Sequence, residues 1–156
     1  MAKSNTCFFT GHRVLASNFT PNRLEKGIEY LIGQGVDTFI TGGAIGFDTE
    51  AAQAVLRIKK KYPNVQLHIY VPCRNQDAKW KLTQKLTYNS LLKRADHIEM
   101  NDRDYYEGCM LERNRKMADA SSYCIAYYNG SRSGTGSAVN YAKKQGITVY
   151  NIYDKD

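Results

Sequence analysis

The stretch TFITGGAIGFDTEAAQAVLRIKKK, residues 38–61, changes its period part-way along. Thr38 to Thr41 is short, apolar and β-branched or aromatic, as expected of a buried strand. From Phe47 to Lys61 the apolar positions Ala51, Ala54, Val55 and Ile58 fall on one helical face, and Pro63 stops the helix. Between them lie Gly42, Gly43 and Gly46, a turn that carries a strand directly into a helix. That order is half of a parallel βαβ unit, and it predicts an α/β fold.

The same alternation continues outward in both directions. Strands are predicted at Thr6 to Thr10, Gln66 to Val71, His97 to Met100, Tyr123 to Tyr128 and Thr148 to Ile152, all as buried runs. Helices are predicted at Arg23 to Gly33, Leu82 to Arg94, Met110 to Ala120 and Ser137 to Gln145. In the first of these Leu24, Ile28, Leu31 and Ile32 share a face, with Pro21 and Asn22 as a start signal and Gly35 as a stop. Parallel strands joined by right-handed crossovers make an open, mainly parallel sheet with helices on both faces. No repeat or linker interrupts it, so residues 1–156 are expected to form a single domain.

Composition narrows the class of ligand. The chain carries 22 Lys and Arg against 15 Asp and Glu, a formal charge of +7. It divides as 9 basic against 6 acidic residues in 1–78 and 13 against 9 in 79–156, so there is no basic tail. A diffusely basic surface favours anionic ligands, either small phosphates or nucleic acid. Cys7, Cys73, Cys109 and Cys124 form no CxxC pair, and no His stands at a zinc-like spacing from them, so neither a metal site nor a disulfide framework is expected. Met1 to Asn5 leads into a strand without an apolar signal region, and no apolar run approaches membrane-spanning length. A cytoplasmic protein with reduced thiols, and no membrane partner, is the expectation.

In open parallel sheets ligands bind beyond the carboxyl ends of the strands, which directs attention to the loops there. After the first strand, Gly11 permits close backbone approach, Arg13 can grip a phosphate, and His12 could donate to a ligand or cap a helix. After the second, Gly42-Gly-Ala-Ile-Gly-Phe-Asp48 is neither GxGxxG nor a Walker turn, because no Lys-Ser/Thr pair follows. Gly42, Gly43 and Gly46 could present amides to an anion, whereas Asp48 could cap those amides or accept from ribose hydroxyls. After the third, Trp80 either covers the sheet edge or lines a pocket. After the fifth, Asn129-Gly-Ser-Arg-Ser-Gly-Thr-Gly-Ser137 offers small residues, the hydroxyls of Ser133, Thr135 and Ser137, and a helix start behind them. With Gly134 and Gly136 in that turn, it is the better phosphate candidate of the two glycine-rich loops. Arg113 stands in the preceding helix, where a solvated, ion-paired surface is the default for such charges.

Thr6-Cys-Phe-Phe-Thr-Gly-His-Arg13, Thr41-Gly-Gly-Ala-Ile-Gly-Phe-Asp48 with Glu50-Ala-Ala52, Arg113 to Asp119 and Tyr127 to Thr135, in that order, resemble the YpsA-like branch of the SLOG superfamily, which includes the DprA/Smf and LOG proteins. The resemblance covers nearly the whole chain. It implies a Rossmann-like sheet and a pocket for a nucleotide or nucleotide-derived ligand. Carried over by position, it implies ligand contacts from Gly11, His12, Arg13, Gly42, Gly43, Gly46, Asp48, Arg113, Asn129, Gly134 and Thr135. LOG enzymes, which cleave the N-glycosidic bond of nucleoside monophosphates, carry PGGxGTxxE. Here Ala138 occupies the Glu position, and a methyl cannot support an oxocarbenium-like transition state.

The leading expectation is therefore a protein without a cofactor that binds a nucleotide-like signal, ADP-ribose-like or cyclic, as sensor, carrier or sequestering agent. The alternatives are an N-glycosidic hydrolase in which Asp48 or Glu112 replaces the missing Glu, and a single-stranded nucleic-acid binder. The +7 charge and 12 tyrosines favour the last, but Tyr30, Tyr123, Tyr141 and Tyr150 fall in core-like patterns and count against it. A homo-oligomer is compatible with the size of the chain, although no heptad or exposed apolar stripe demands one.

Overall fold

The computed structural model describes residues 3–153; Met1, Ala2 and the last three residues of the expected 1–156 domain lie outside them. Six strands form one sheet: β1 (Thr6–Gly11), β2 (Thr38–Thr41), β3 (Gln66–Val71), β4 (His97–Met100), β5 (Tyr123–Tyr127) and β6 (Thr148–Asn151). Their spatial order is β4-β3-β2-β1-β5-β6, and every neighbouring pair is parallel. The helices are α1 (Pro21–Gly33), α2 (Phe47–Lys59), α3 (Leu82–Arg94), α4 (Cys109–Asp119) and α5 (Gly134–Lys144). This is the Rossmann-like α/β architecture expected.

The two-residue period of the strands divides the core. Cys7 and Phe9 of β1, Phe39 of β2, Leu67 and Ile69 of β3, and Ile125 and Tyr127 of β5 face α1, α2 and the Leu91 turn of α3. Phe8, Ile40, Cys124 and Ala126, their alternates, face Met117 and Ala118 of α4 and Val139 and Ala142 of α5. The register that sets Phe8 beside both Ile40 and Cys124 fixes this partition, since a slip of one residue would exchange the two faces.

Strand order places the switch point between β1 and β5. From β1 the chain moves outward through β2, β3 and β4; it then returns to the other side of β1 to lay down β5 and β6. The loops after β1 and β5 diverge there, and they leave a crevice at the carboxyl end of the sheet.

Three expectations change. β4 is exposed at all four positions as an edge strand, so coverage on both faces does not extend to it. Helix α5 starts at Gly134, three residues earlier than its apolar period suggested, because Ser133 caps it with a hydrogen bond from Gly136 N–H at 3.1 Å. Tyr30 is exposed and meets Tyr150 edge-on at 5.9 Å, so it is a surface residue and not part of the core.

Candidate functional site

Phe47, the first residue of α2, organises the crevice. It is fully buried, with ring centroids 6.2 Å from Phe9, 6.3 Å from Phe19 and 5.7 Å from Tyr127. Burying such a ring contributes about 2–3 kcal/mol. A β-carbon on Gly11 would lie 2.3 Å from that ring, and one on Gly46 would lie 2.2 Å from the Arg13 carbonyl oxygen. These glycines thus allow the β1 loop and the start of α2 to touch. Phe47 N–H donates to His12 O at 3.1 Å across the same junction.

The glycine-rich turn after β2 satisfies two of its amides from within. Gly43 N–H donates to Thr41 Oγ1 at 3.4 Å and Ala44 N–H to Asp48 Oδ2 at 3.2 Å. Gly42 O accepts from Arg113 Nη1 at 2.7 Å and from Gln76 Nε2 at 3.3 Å. A β-carbon on Gly42 would fall 2.4 Å from Arg113 Nη1, so the missing side chain makes room for a guanidinium. Gly43, at φ +72°, fits beneath Tyr88 and Ile69. Asp48 caps this turn, as one of its two readings held, but through the loop amide of Ala44.

Arg113 departs from the default of a solvated charge. It is only 7% exposed and also donates to Tyr70 O at 3.1 Å and, through Nε, to Asn114 Oδ1 at 3.1 Å. Asp48, likewise 7% exposed, has its carboxyl pushed up to about 6: burial raises it, and Arg113, the Ala44 amide and Arg13 pull it partly back. Burial also pulls Arg113 below its ordinary value, against the attraction of Asp48. A buried carboxyl poised near neutrality beside a buried cation is the type of perturbation that concentrates at functional sites.

These groups surround a cleft of about 330 Å³ at the switch point. Among the residues chosen from sequence, Gly11, His12, Arg13, Asp48, Arg113, Ser133, Gly134 and Thr135 line it. Gly42, Gly43 and Gly46 lie behind it, Asn129 stands in the loop above, and Gly136 and Ser137 line a neighbouring cleft on the far side of Ser133. Met110, Asn114 and Met117 of α4 also form its wall. Sequence alone assigns them no functional role; for Met110 and Met117 the available signal is their spacing of three and four from Arg113, whereas Asn114 is its immediate neighbour.

Each wall has a distinct chemistry. At the start of α5 the Ser133 hydroxyl takes the Gly136 amide, and the first-turn amides of Gly134 and Thr135 have no acceptor within the helix. The positive end of the helix dipole adds to them. Arg13 is exposed and makes no ion pair among the described residues. Asp48 is the single carboxylate lining the cleft among the described residues. His12 acts as a staple: its Nε2 accepts from Asn129 N–H at 3.0 Å and its own N–H donates to Tyr127 O at 3.3 Å, tying the two diverging loops together. Since an amide can only donate, the ring proton of a neutral His12 sits on Nδ1.

Other candidates fall elsewhere. Trp80 packs edge-on against Tyr88 at 5.0 Å, outside the cleft. Glu112 accepts from Tyr106 Oη at 3.0 Å and faces a water-sized cavity of about 20 Å³, while Ala138 is buried. Among the described residues no three His, Cys, Asp or Glu side chains come together as metal donors, and no helix is long and apolar enough to cross a membrane.

Comparison with known proteins adds to this geometry. Residues 10–154 match the family model described as the YspA SLOG family. The chain belongs to that family. The SPbeta prophage-derived protein YoqJ of Bacillus subtilis (strain 168) is 39% identical over 118 residues, 68% of this SLOG chain and 69% of YoqJ. A UPF0398 protein of Halalkalibacterium halodurans is 27% identical over 141 residues, 88% of this chain and 74% of that one. Among solved structures, DNA processing protein A (DprA) from Streptococcus pneumoniae superposes with a TM-score of 0.69 at 17% identity, over 96% of this chain and 50% of its own. The Helicobacter pylori protein, whose structure concerns its single-stranded DNA binding mode, gives 0.67 at 19% over 94% and 64%. The SLOG chain therefore shares the DprA fold and spans one half to two thirds of those longer proteins.

Proposed function

We propose that the cleft at the β1/β5 switch point binds a nucleotide or nucleotide-derived small molecule, of ADP-ribose-like or cyclic type, as a sensor, carrier or sequestering protein does. The observation that carries this reading is the convergence of Arg13, Arg113, the Asp48 carboxylate and the α5 start on one cleft of about 330 Å³. A phosphate is matched by the Gly134 and Thr135 amides and by Arg13, which can close on it from the β1 loop. Arg113, already committed to Gly42 O and Tyr70 O, contributes a fixed positive field. Asp48 has one oxygen on Ala44 N–H, and its other can accept from ribose hydroxyls. Met110 and Met117 offer adaptable, polarisable surface to a base.

The test is calorimetric titration of AMP, ADP, ADP-ribose and adenosine. Phosphorylated ligands should bind at least about tenfold more tightly than adenosine, and Arg13→Ala should remove most of that preference. Equal affinity for adenosine and AMP would remove the phosphate assignment. An Asp48 carboxyl held near 6 gives the hydrolytic reading one specific support, since a protonated carboxyl can act as a general acid. Against it, the cleft has no second carboxylate among the described residues to share glycosidic chemistry. Chromatography of the same mixtures decides: base released by the parent protein and not by Asp48→Asn would replace binding with turnover.

A further inference from the structure

A second cleft, of about 360 Å³, opens on the other side of Ser133, between α4, α5 and the loop after β5. Arg115, Arg132 and Lys144 line it, with the rings of Tyr128 and Tyr141. Among the described residues no carboxylate lines it; Asp119 accepts from Tyr141 Oη at 2.7 Å. Arg115 stands over the Tyr141 ring, with its guanidinium carbon 5.3 Å from the centroid, so one cation and one ring already form a stacking pair. The side chains of Arg132 and Lys144 make no ion pair or hydrogen bond among the described residues.

Ser133 belongs to the walls of both clefts, and the four residues that follow it divide between them: Gly134 and Thr135 line the first, Gly136 and Ser137 the second. A β-carbon on Gly136 would lie 2.8 Å from the Tyr128 hydroxyl, so the first turn of α5 packs closely on that side chain beside Ser133. A phosphate-matched first cleft and a second cleft of cations and aromatic rings thus share Ser133 as a common wall.

We infer that the ligand contains two nucleotide units joined through phosphate, with the second unit in the Arg115–Arg132–Lys144 cleft. Cations match the linking phosphate, and tyrosine and arginine faces stack on a base without reading its sequence. This rests on the nucleotide reading of the first cleft and extends it from a mononucleotide to a dinucleotide or a short single strand.

The experiment compares AMP, the linear dinucleotide pApA and a twelve-residue oligodeoxythymidylate in the parent protein and in an Arg132→Glu/Lys144→Glu double variant. Both positions are exposed, so the variant should fold, which its melting temperature checks. In the parent, pApA should bind at least about tenfold more tightly than AMP, with a steeper dependence on salt from the additional phosphate contacts. In the double variant that advantage should vanish while AMP affinity stays within about twofold. A twelve-residue strand tighter than pApA identifies the source as nucleic acid, and equal affinities identify a free dinucleotide; either supports two units. If AMP binds and pApA binds no better, or if the advantage survives the charge reversal, the second unit is refuted and the first cleft stands. If neither AMP nor pApA binds, both readings fall together.

Discussion

Replacing Asp48 by Asn should stabilise the protein, and by an amount that grows with pH. The carboxyl is buried, and its folded value of about 6 stands above the ordinary 3.8 of an unfolded Asp. A raised carboxyl value means that the folded state holds the proton more tightly. Stability is therefore highest at low pH, falls as pH rises from about 4 through about 6, and stays reduced above that. The full difference corresponds to about 3 kcal/mol. At about pH 4.5 the folded state has lost about 1 kcal/mol of it relative to the protonated form, and at about pH 7.5 it has lost about 3 kcal/mol.

Asparagine resembles the protonated carboxyl: it cannot ionise, and its carbonyl oxygen can still accept from Ala44 N–H. Urea denaturation of parent and Asp48→Asn at matched pH removes the other titrating groups from the comparison. The stability of Asn relative to Asp should increase by about 2 kcal/mol between about pH 4.5 and about pH 7.5. A pH-independent difference would mean that Asp48 is not desolvated as its burial implies. A difference of opposite sign would mean that Arg113 and the Ala44 amide outweigh desolvation, and it would refute the electrostatic account of the cleft.

Further perturbations separate the parts of the site. Gly42→Ala puts a methyl within 2.4 Å of Arg113 Nη1, so that the buried guanidinium must leave Gly42 O; a loss of about 3 kcal/mol is expected in urea denaturation. Gly11→Ala drives into the Phe47 ring and should cost about 1–3 kcal/mol, with changed near-ultraviolet dichroism from the Phe47–Tyr127 cluster. Arg13→Ala, by contrast, should alter stability by no more than about 0.5 kcal/mol while weakening phosphate ligands about tenfold in calorimetry, because its side chain is exposed and makes no ion pair among the described residues. Ribose binding to ionised Asp48 should be present above about pH 6 and fall as the carboxyl protonates below it; an adenosine affinity that rises on acidification would remove Asp48 from the ribose.

The fold was legible because its signals are local. β2, β3, β4 and α3 lie where sequence put them, since strand length, helical period and Pro or Gly stops act within a few residues. What β4 lacks is burial, and no residue of His97–Met100 could announce that, because exposure of an edge strand depends on where the chain goes afterwards. The onset of α5 was misplaced for a different reason. Apolar period marks the buried face of a helix, whereas its first turn is set by the Ser133 cap, which carries no apolar signal.

The two glycine-rich turns show where such reasoning stops. By composition both could hold an anion, and what separates them is the fate of their amides. After β2 the amides of Gly43 and Ala44 are taken by Thr41 and by Asp48, and the buried carbonyl of Gly42 is taken by an arginine 71 positions later in the chain. After β5 the Asn129 amide goes to His12, that of Ser131 to Asn129 and that of Gly136 to Ser133, while Gly134 and Thr135, whose first-turn amides have no acceptor within the helix, line a cleft with Arg13 and Arg113. Long-range satisfaction turns one loop into a scaffold, whereas the other places two first-turn amides without a helical acceptor at the cleft that the proposal assigns to a phosphate. It also explains the glycines of the first turn better than ligand approach does, since their missing β-carbons are where Arg113 and the Arg13 backbone sit. Asp48 is the exception within that scaffold, because it caps the turn with one oxygen and remains in the cleft at a cost in stability. On the proposed reading, this buried, cation-facing carboxylate ties the scaffolding turn to the ligand.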